Sequence, residues 1–398
     1  MLKRPVAKKR KLRHSRIAVF CLACLAIPLW YCLAEGSIKG LCSDCHTMHN
    51  SQNAQPFTYD GSNIPNGELT RSTCYGCHAQ GGPTPTVNIG PNIVPQVMHS
   101  GTQDLAGGNF GYITGLAGSG ASDSKGHNIA DLTGKDSVFT GLTPPPGALI
   151  DYEGNPHPSP IFLRSDILRC AGSNGCHGYR AAGGAINYYP NGIPGAHHNN
   201  ENGQLTIAKT PASSYRFLDW VKGYESPDWQ ENPSPSNHNE YFALPTPKQF
   251  GCDGSGPLSQ CHMGPGGLVV PPDGTMSQFC GTCHGNFHTV EAGLSTGIGP
   301  TASSPFIRHP TDLSLPATGE YAGYTQYNVN VPVARLVVPA APSAVVTPGS
   351  DAVMCLSCHV AHASNYPFML RWDYNKMVAG NAGAASGTGC FACHTTKD

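Results

Sequence analysis

Residues 355–362 read CLSCHVAH, and residues 42–49 read CSDCHTMH. In both, two cysteines separated by two residues are followed at once by a histidine, and a second histidine comes three positions later. The pattern runs through the whole chain. Three of the 17 cysteines (Cys21, Cys24 and Cys32) lie in an N-terminal apolar stretch. The remaining fourteen fall into seven pairs, each ending in Cys-His: Cys42/Cys45-His46, Cys74/Cys77-His78, Cys170/Cys176-His177, Cys252/Cys261-His262, Cys280/Cys283-His284, Cys355/Cys358-His359 and Cys390/Cys393-His394. A histidine follows any given cysteine by chance roughly one time in twenty in a chain of this composition, so seven in seven reflects chemistry.

In CxxCH the two thiols are placed to add to the two vinyl groups of one haem, and the histidine behind them comes under the iron as an axial ligand. Five of the seven pairs have this spacing. Cys170/Cys176 and Cys252/Cys261 are stretched, but the inserted residues are mostly Gly, Ser, Asn, Asp and Pro, which can loop out and return both thiols to one ring. The alternative is five haems and two disulfides. Zinc sites draw four ligands from two knuckles and need no histidine behind every pair. A disulfide framework suits an oxidising compartment but needs no histidine either.

Residues 1–16 hold eight Lys/Arg and no acid, and IAVFCLACLAIPLWYCLA (17–34) is an apolar run ending in a small residue. This is the pattern of a signal peptide, with a retained membrane anchor as the alternative, since the run is long enough to span a bilayer. Without residues 1–34 the chain carries 16 basic against 25 acidic residues, a net charge of −9. That excludes nucleic acid as a partner and favours basic redox proteins.

Glycine (48) and proline (35) make about a fifth of the chain. Turn-rich segments such as GGPTPTVNIGPNIVP (81–95) and GLTPPPGALI (141–150) break any helical or strand period. The expected fold is mostly irregular coil with a few short helices, organised around covalently bound haems that stand in for an aliphatic core. Three regions follow the leader (1–34): an N-terminal dihaem region (35–150), a middle region with the two stretched motifs (151–270) and a C-terminal trihaem region (271–398).

Seven proximal histidines and His14 in the leader leave ten for the sixth iron position: His49, His99, His127, His157, His197, His198, His238, His288, His309 and His362. His49 and His362 lie one helical turn beyond a proximal histidine, so each is expected to ligate a neighbouring haem. His288, His309, His127 and His99 are further distal candidates. Of the adjacent pair one is expected to serve, with His198 the one assigned. His157 and His238, among Pro, Asn and Ser, read as solvated loop histidines. Arg371, Trp372 and Tyr374 read as packing residues, and LAGSGASDSKG (116–126) as a loop. No catalytic residue is expected.

These motifs, the CHxxH doublets and the stretches SPFIRHPTDLSLP (304–316) and DAVMCLSCHVAH (351–362) resemble the multihaem c-type cytochromes with doubled CxxCH motifs, a group that includes periplasmic, outer-surface and filament-forming cytochromes of metal-reducing bacteria. The resemblance implies covalent haem c, close haem stacking and multistep electron transfer in the periplasm or outside a Gram-negative-type cell. It implies other redox proteins, chiefly cytochromes, as partners, together with an extracellular acceptor or further copies of the same chain. The rival functions are a multihaem reductase with one open iron and a polymerising filament subunit. Nitrite-reducing members of the reductase class often carry a lysine in place of a motif histidine; none of the seven motifs here does.

Overall fold

The computed structural model describes residues 38–138, 145–146, 149–150, 156–157, 168–172, 175–178, 193, 195–198, 203–244, 273–284, 309, 311–380 and 387–397. The leader, Cys252, Cys261, His262 and His288 lie outside them. No helix among the described residues is long and apolar enough to cross a membrane.

Glycine and proline at this density interrupt hydrogen-bonded ladders, and the elements are correspondingly short. Four α-helices of four to six residues occur among the described residues: Cys42–Cys45, Cys74–His78, Gly111–Thr114 and Met276–Gly281. Three of them carry cysteines of the Cys-His pairs. The rest is coil, 3₁₀ turns and strands of two to four residues, so the expected fold class is the one found.

One five-stranded sheet runs in the order Leu313–Ser314, Ala352–Val353, Ala334–Arg335, Glu240–Phe242, Gly223–Tyr224. Ala334–Arg335 pairs parallel with Glu240–Phe242 (Tyr241 opposite Ala334), and the other neighbours are antiparallel. The sheet therefore joins the middle of the sequence to its C-terminal part.

Each apolar cluster borders attachment cysteines. Tyr215, Trp220, Val221, Tyr241, Met276, Phe279, Met354 and Leu356 form one, with Cys176 and Cys280 packed against it. Phe110, Tyr112, Ile113, Ile129 and Ala363 form a second, against which Tyr75 and Cys170 pack. Leu315, Tyr324, Tyr327, Val333, Val346 and Val353 form a third, bordered by Cys393.

Under the sheet lies a buried charge network. Arg335 donates from Nε to Glu240 (2.8 Å) and from Nη1 to Asp351 (2.6 Å), and His238 Nε2 lies 3.0 Å from Glu240 Oε1. Burial pushes the Glu240 carboxyl up, but the bonds from His238 and Arg335 outweigh it and hold the group below its usual value. His238 is fully buried and stacked on Tyr327, with ring centres 3.7 Å apart. The expectation of a solvated loop histidine is thus corrected: the polar neighbours of His238 are its buried partners. Residues 116–126 do form a loop, which closes over Lys125, whose Nζ donates to the carbonyls of Ser119 (2.7 Å) and Gly120 (2.9 Å).

Candidate haem centres

In the unstretched motifs a single helical turn does the positioning. Residues three apart on a helix lie on one face, so both thiols of CxxC point the same way. The backbone N–H of the next histidine then bonds the carbonyl of the first cysteine: His46 to Cys42 (2.8 Å), His284 to Cys280, His359 to Cys355 and His394 to Cys390 (3.0 Å each).

Cys283 departs from the helical placement of Cys45 and Cys77. The helix Met276–Gly281 carries Cys280 but ends before Cys283, with Thr282 as its cap. The chain keeps turning beyond the cap, because the N–H of Cys283 bonds the carbonyl of Cys280 at 3.1 Å. The two thiols also sit in different surroundings. Cys280 packs on the first apolar cluster, whereas Cys283 is half-buried and its Sγ lies 3.9 Å from the Thr282 hydroxyl. Cys283 is therefore placed by the turn that follows the helix.

Cys170/Cys176 brings its thiols together by another route. Arg169–Ala171 and Gly175–His177 pair parallel, Arg169 opposite Gly175 and Ala171 opposite His177, so the loop makes one full turn and brings Cys176 beside Cys170. Two glycines permit it. Gly172 sits at φ +83°, and a Cβ on Gly175 would lie 2.5 Å from the Ala171 backbone. Gly175→Val is therefore expected to yield protein one haem lighter in intact mass; an unchanged mass would show that the turn does not govern attachment.

No disulfide joins any two of the twelve described cysteines. Burial, reinforced by neighbouring thiols, pushes Cys77, Cys170, Cys358 and Cys393 up to about 12.

The distal side is the most informative. Five proximal histidines each face a second imidazole: His46 and His198 (6.2 Å between ring centres), His78 and His197 (6.1 Å), His177 and His362 (6.1 Å), His284 and His127 (6.2 Å), His394 and His309 (6.2 Å). Two metal–imidazole bonds of about 2 Å each, plus a ring radius on either side, give about 6 Å. The interplanar angles range from 11° to 87°. Stacking would not produce one separation at every angle, whereas an ion between the rings would. Burial pushes His127 down to about 4 and His362 down to about 3, so both are neutral at ordinary pH, as metal binding requires.

The other ring nitrogen is anchored at each described proximal histidine. Nδ1 meets a backbone carbonyl at His46 (Leu69, 3.2 Å), His78 (Pro95, 2.9 Å), His177 (Arg216, 2.9 Å), His284 (Pro146, 2.5 Å) and His359 (Phe368, 2.8 Å). At His394 it meets the Glu320 carboxylate at 3.1 Å. Such contacts fix the tautomer and make Nε2 the nitrogen suited to a metal. The donor set thus fits haem at six described motifs: a thiol pair, an oriented Nε2 and, at five of them, a second imidazole at the right distance.

The remaining expected ligands are placed differently. His49 is exposed, with Nδ1 turned to Ser51. His99 is fully buried, bonded to Asn109 and 3.6 Å from Asp104. No second imidazole faces His49, His99 or His359 among the described residues. His157 lies in a two-residue strand paired with Leu149. Where one of the adjacent pair His197 and His198 was expected to serve, both face proximal rings. Adjacency had counted against them, although consecutive side chains on a tight turn diverge and can reach two centres.

Arg371 bonds the carbonyls of Leu356 (2.7 Å) and His359 (3.1 Å), and the Trp372 ring packs on Gly389. Both therefore pack, as expected.

Residues 347–398 match the family model described as the doubled CXXCH motif. The chain is 24% identical over 404 residues to "C-type cytochrome OmcS" of Geobacter sulfurreducens, covering 92% of this chain and 86% of that one. Among solved structures it is similar to "Outer Membrane Cytochrome S Filament from Geobacter Sulfurreducens", with 16% identity, TM-score 0.40 and 91% and 95% of the two chains covered. It is also similar to "Cryo-EM of the OmcS nanowires from Geobacter sulfurreducens", with 19% identity, TM-score 0.43 and 91% of each chain covered. The resemblance to multihaem c-type cytochromes with doubled CxxCH motifs stands.

Proposed function

We propose that this chain is a seven-haem electron carrier whose irons are held, for the most part, between two histidines, and that it works outside the cell or at its outer surface. The reading rests above all on the five imidazole pairs at 6.1–6.2 Å. An iron held on both faces offers no position to a substrate, and when bound, haem supplies one-electron exchange between ferric and ferrous iron. The chain's own residues fix orientation and environment: paired thiols tether, Nδ1 contacts hold each imidazole, and the apolar clusters keep water from the ring edges.

The matched relative is a c-type cytochrome, and its solved form is titled a filament. Similarity to it supports an extracellular site and assembly with further copies, with other redox proteins as donors and acceptors.

The centres join in an order of their own. His197 and His198 tie the Cys74/Cys77 site to the Cys42/Cys45 site. Tyr75 donates to Asp131 (2.7 Å), which pairs with Arg169 beside Cys170. His127 N donates to His362 O (3.0 Å), joining the distal ligands of the Cys280/Cys283 and Cys170/Cys176 sites. Cys355 N donates to Ser277 Oγ (3.0 Å) on the helix that carries Cys280. Arg371 and Trp372 bridge the Cys355/Cys358 site to Gly389, next to Cys390.

Intact mass and a pyridine haemochrome ratio on the purified protein, with an electron paramagnetic resonance spectrum of the oxidised form, test the reading. Seven covalent haems with mostly low-spin iron are expected. Five haems, or several high-spin irons, would overturn it.

A further inference from the structure

We infer that Glu320 lowers the reduction potential of the centre held by Cys390, Cys393 and His394, setting it apart from the other described centres; this rests on the haem-carrier reading above. Five of the six described proximal histidines give Nδ1 to a neutral backbone carbonyl. His394 alone among them faces a carboxylate, Glu320 Oε2, at 3.1 Å. Both atoms are buried and neither makes a hydrogen bond among the described residues, so the contact between them is a close charge contact. Glu320's side chain is only 16% exposed, so water screens the contact weakly.

The carboxylate is held there by the fold. It follows Gly319 in the 3₁₀ turn Gly319–Gly323, and its own carbonyl accepts from the backbone N–H of Thr395 (3.2 Å), the residue after His394. Tyr321 covers the His394 ring at 5.1 Å between centres. On the far side Lys397 Nζ binds Glu320 Oε1 at 3.1 Å, so carboxylate, imidazole and ammonium stand in a row.

An imidazole whose Nδ1 side faces a carboxylate becomes a more electron-rich ligand than one whose Nδ1 faces a neutral carbonyl. A more electron-rich ligand favours ferric over ferrous iron and moves the potential down. Lys397 draws on the same carboxylate and moderates the effect. Glu320 is thus a positioning and tuning residue acting through His394. Because this site ends the sequence of contacts traced above, the low-potential centre lies at one end of the path.

The pair of variants Glu320→Gln and Lys397→Met, each in the full-length holoprotein, tests this by spectroelectrochemical titration. Glu320→Gln is expected to move one component to more positive potential; Lys397→Met, which frees the carboxylate, is expected to move the same component the other way. Opposite signs at one component cannot come from general loosening. Shifts of equal sign, shifts spread over all components, or no shift would overturn the inference. Peptide mass of the unaltered protein separates the two levels. An unmodified Cys390/Cys393 peptide would sink the haem reading itself, while a haem present there with an unmoved potential would sink only the role of Glu320.

Discussion

Replacing Cys170 and Cys176 together with serine will remove one haem from the intact mass and stop electron flow between the two ends of the molecule. The same change at Cys252 and Cys261 will remove one haem and leave that flow standing. The contrast follows from how the centres touch. The Cys42/Cys45 and Cys74/Cys77 sites share the Ala196–His198 turn, and the next link runs through Tyr75, Asp131 and Arg169 to Cys170. From there the path goes directly to the Cys280/Cys283 site. His362 and His127 are backbone partners, and Cys176 and Cys280 pack on one apolar cluster. The bond from Cys355 and the burial of Cys280 both hold the Cys280 thiol well above its ordinary value, with Cys176 adding to the shift. All three thiols are thus in one neighbourhood.

The links named above from the first two centres to the last three pass through the Cys170/Cys176 site, and none of them uses the fourth motif. Current through a monolayer of oriented protein, compared at equal coverage, would measure the difference. A large loss from Cys252→Ser/Cys261→Ser with little from Cys170→Ser/Cys176→Ser would refute the direct link. The contrast is safe against misfolding, because both doubles remove one haem and serine is close to cysteine in volume.

The attachment chemistry was legible in sequence because it is local: CxxCH specifies thiol, thiol and imidazole within five residues, and one helical turn does the rest. Where that turn stops was not legible: Cys283 falls just past the end of its helix and is placed by the turn that follows. In the stretched Cys170 motif, glycines at 172 and 175 allow the turn that brings the two cysteines side by side. What the sequence could not carry is whatever depends on distant partners. His362 was assigned to a neighbouring haem from its spacing, but that the neighbour is the Cys170/Cys176 site depends on contacts across about 180 residues. His238 looked exposed because its flanks are polar, and it is buried because Glu240 and Arg335 satisfy it. His99 has the look of a ligand, yet Asn109 and Asp104 surround it. Glu320 has no motif at all. Its carboxylate matters only because a turn 74 residues before His394 folds back on it. The contacts connect the third motif directly to the fifth, which no local pattern in the chain encodes.

The double variant His197→Ala/His198→Ala will leave two irons without a sixth protein ligand, and each single variant will leave one. The Ala196–His198 turn is 3₁₀, a helix with three residues per turn, so consecutive side chains leave it about 120° apart. That divergence lets His198 reach His46 while His197 reaches His78. His197 is further steadied by the Phe217 ring, 6.0 Å between centres, and Phe217 O accepts from Gly178 N (2.6 Å), just past the Cys170 motif. One short turn therefore sets imidazoles opposite His46 and His78 and leans on the Cys170 motif. If only one of the pair served, one single variant would be silent and the double would match the other single. Electron paramagnetic resonance of the oxidised protein, integrated for high-spin iron, should instead read one, one and two equivalents with the haem count unchanged. Exogenous imidazole should return all three to low spin, because the proximal histidines and thioethers remain. Failure of imidazole to restore them would mean that the turn holds the ring cavities open as well as ligating the metal. A silent single variant would mean that the 6.1 or 6.2 Å separation on that side is packing without a metal between the rings.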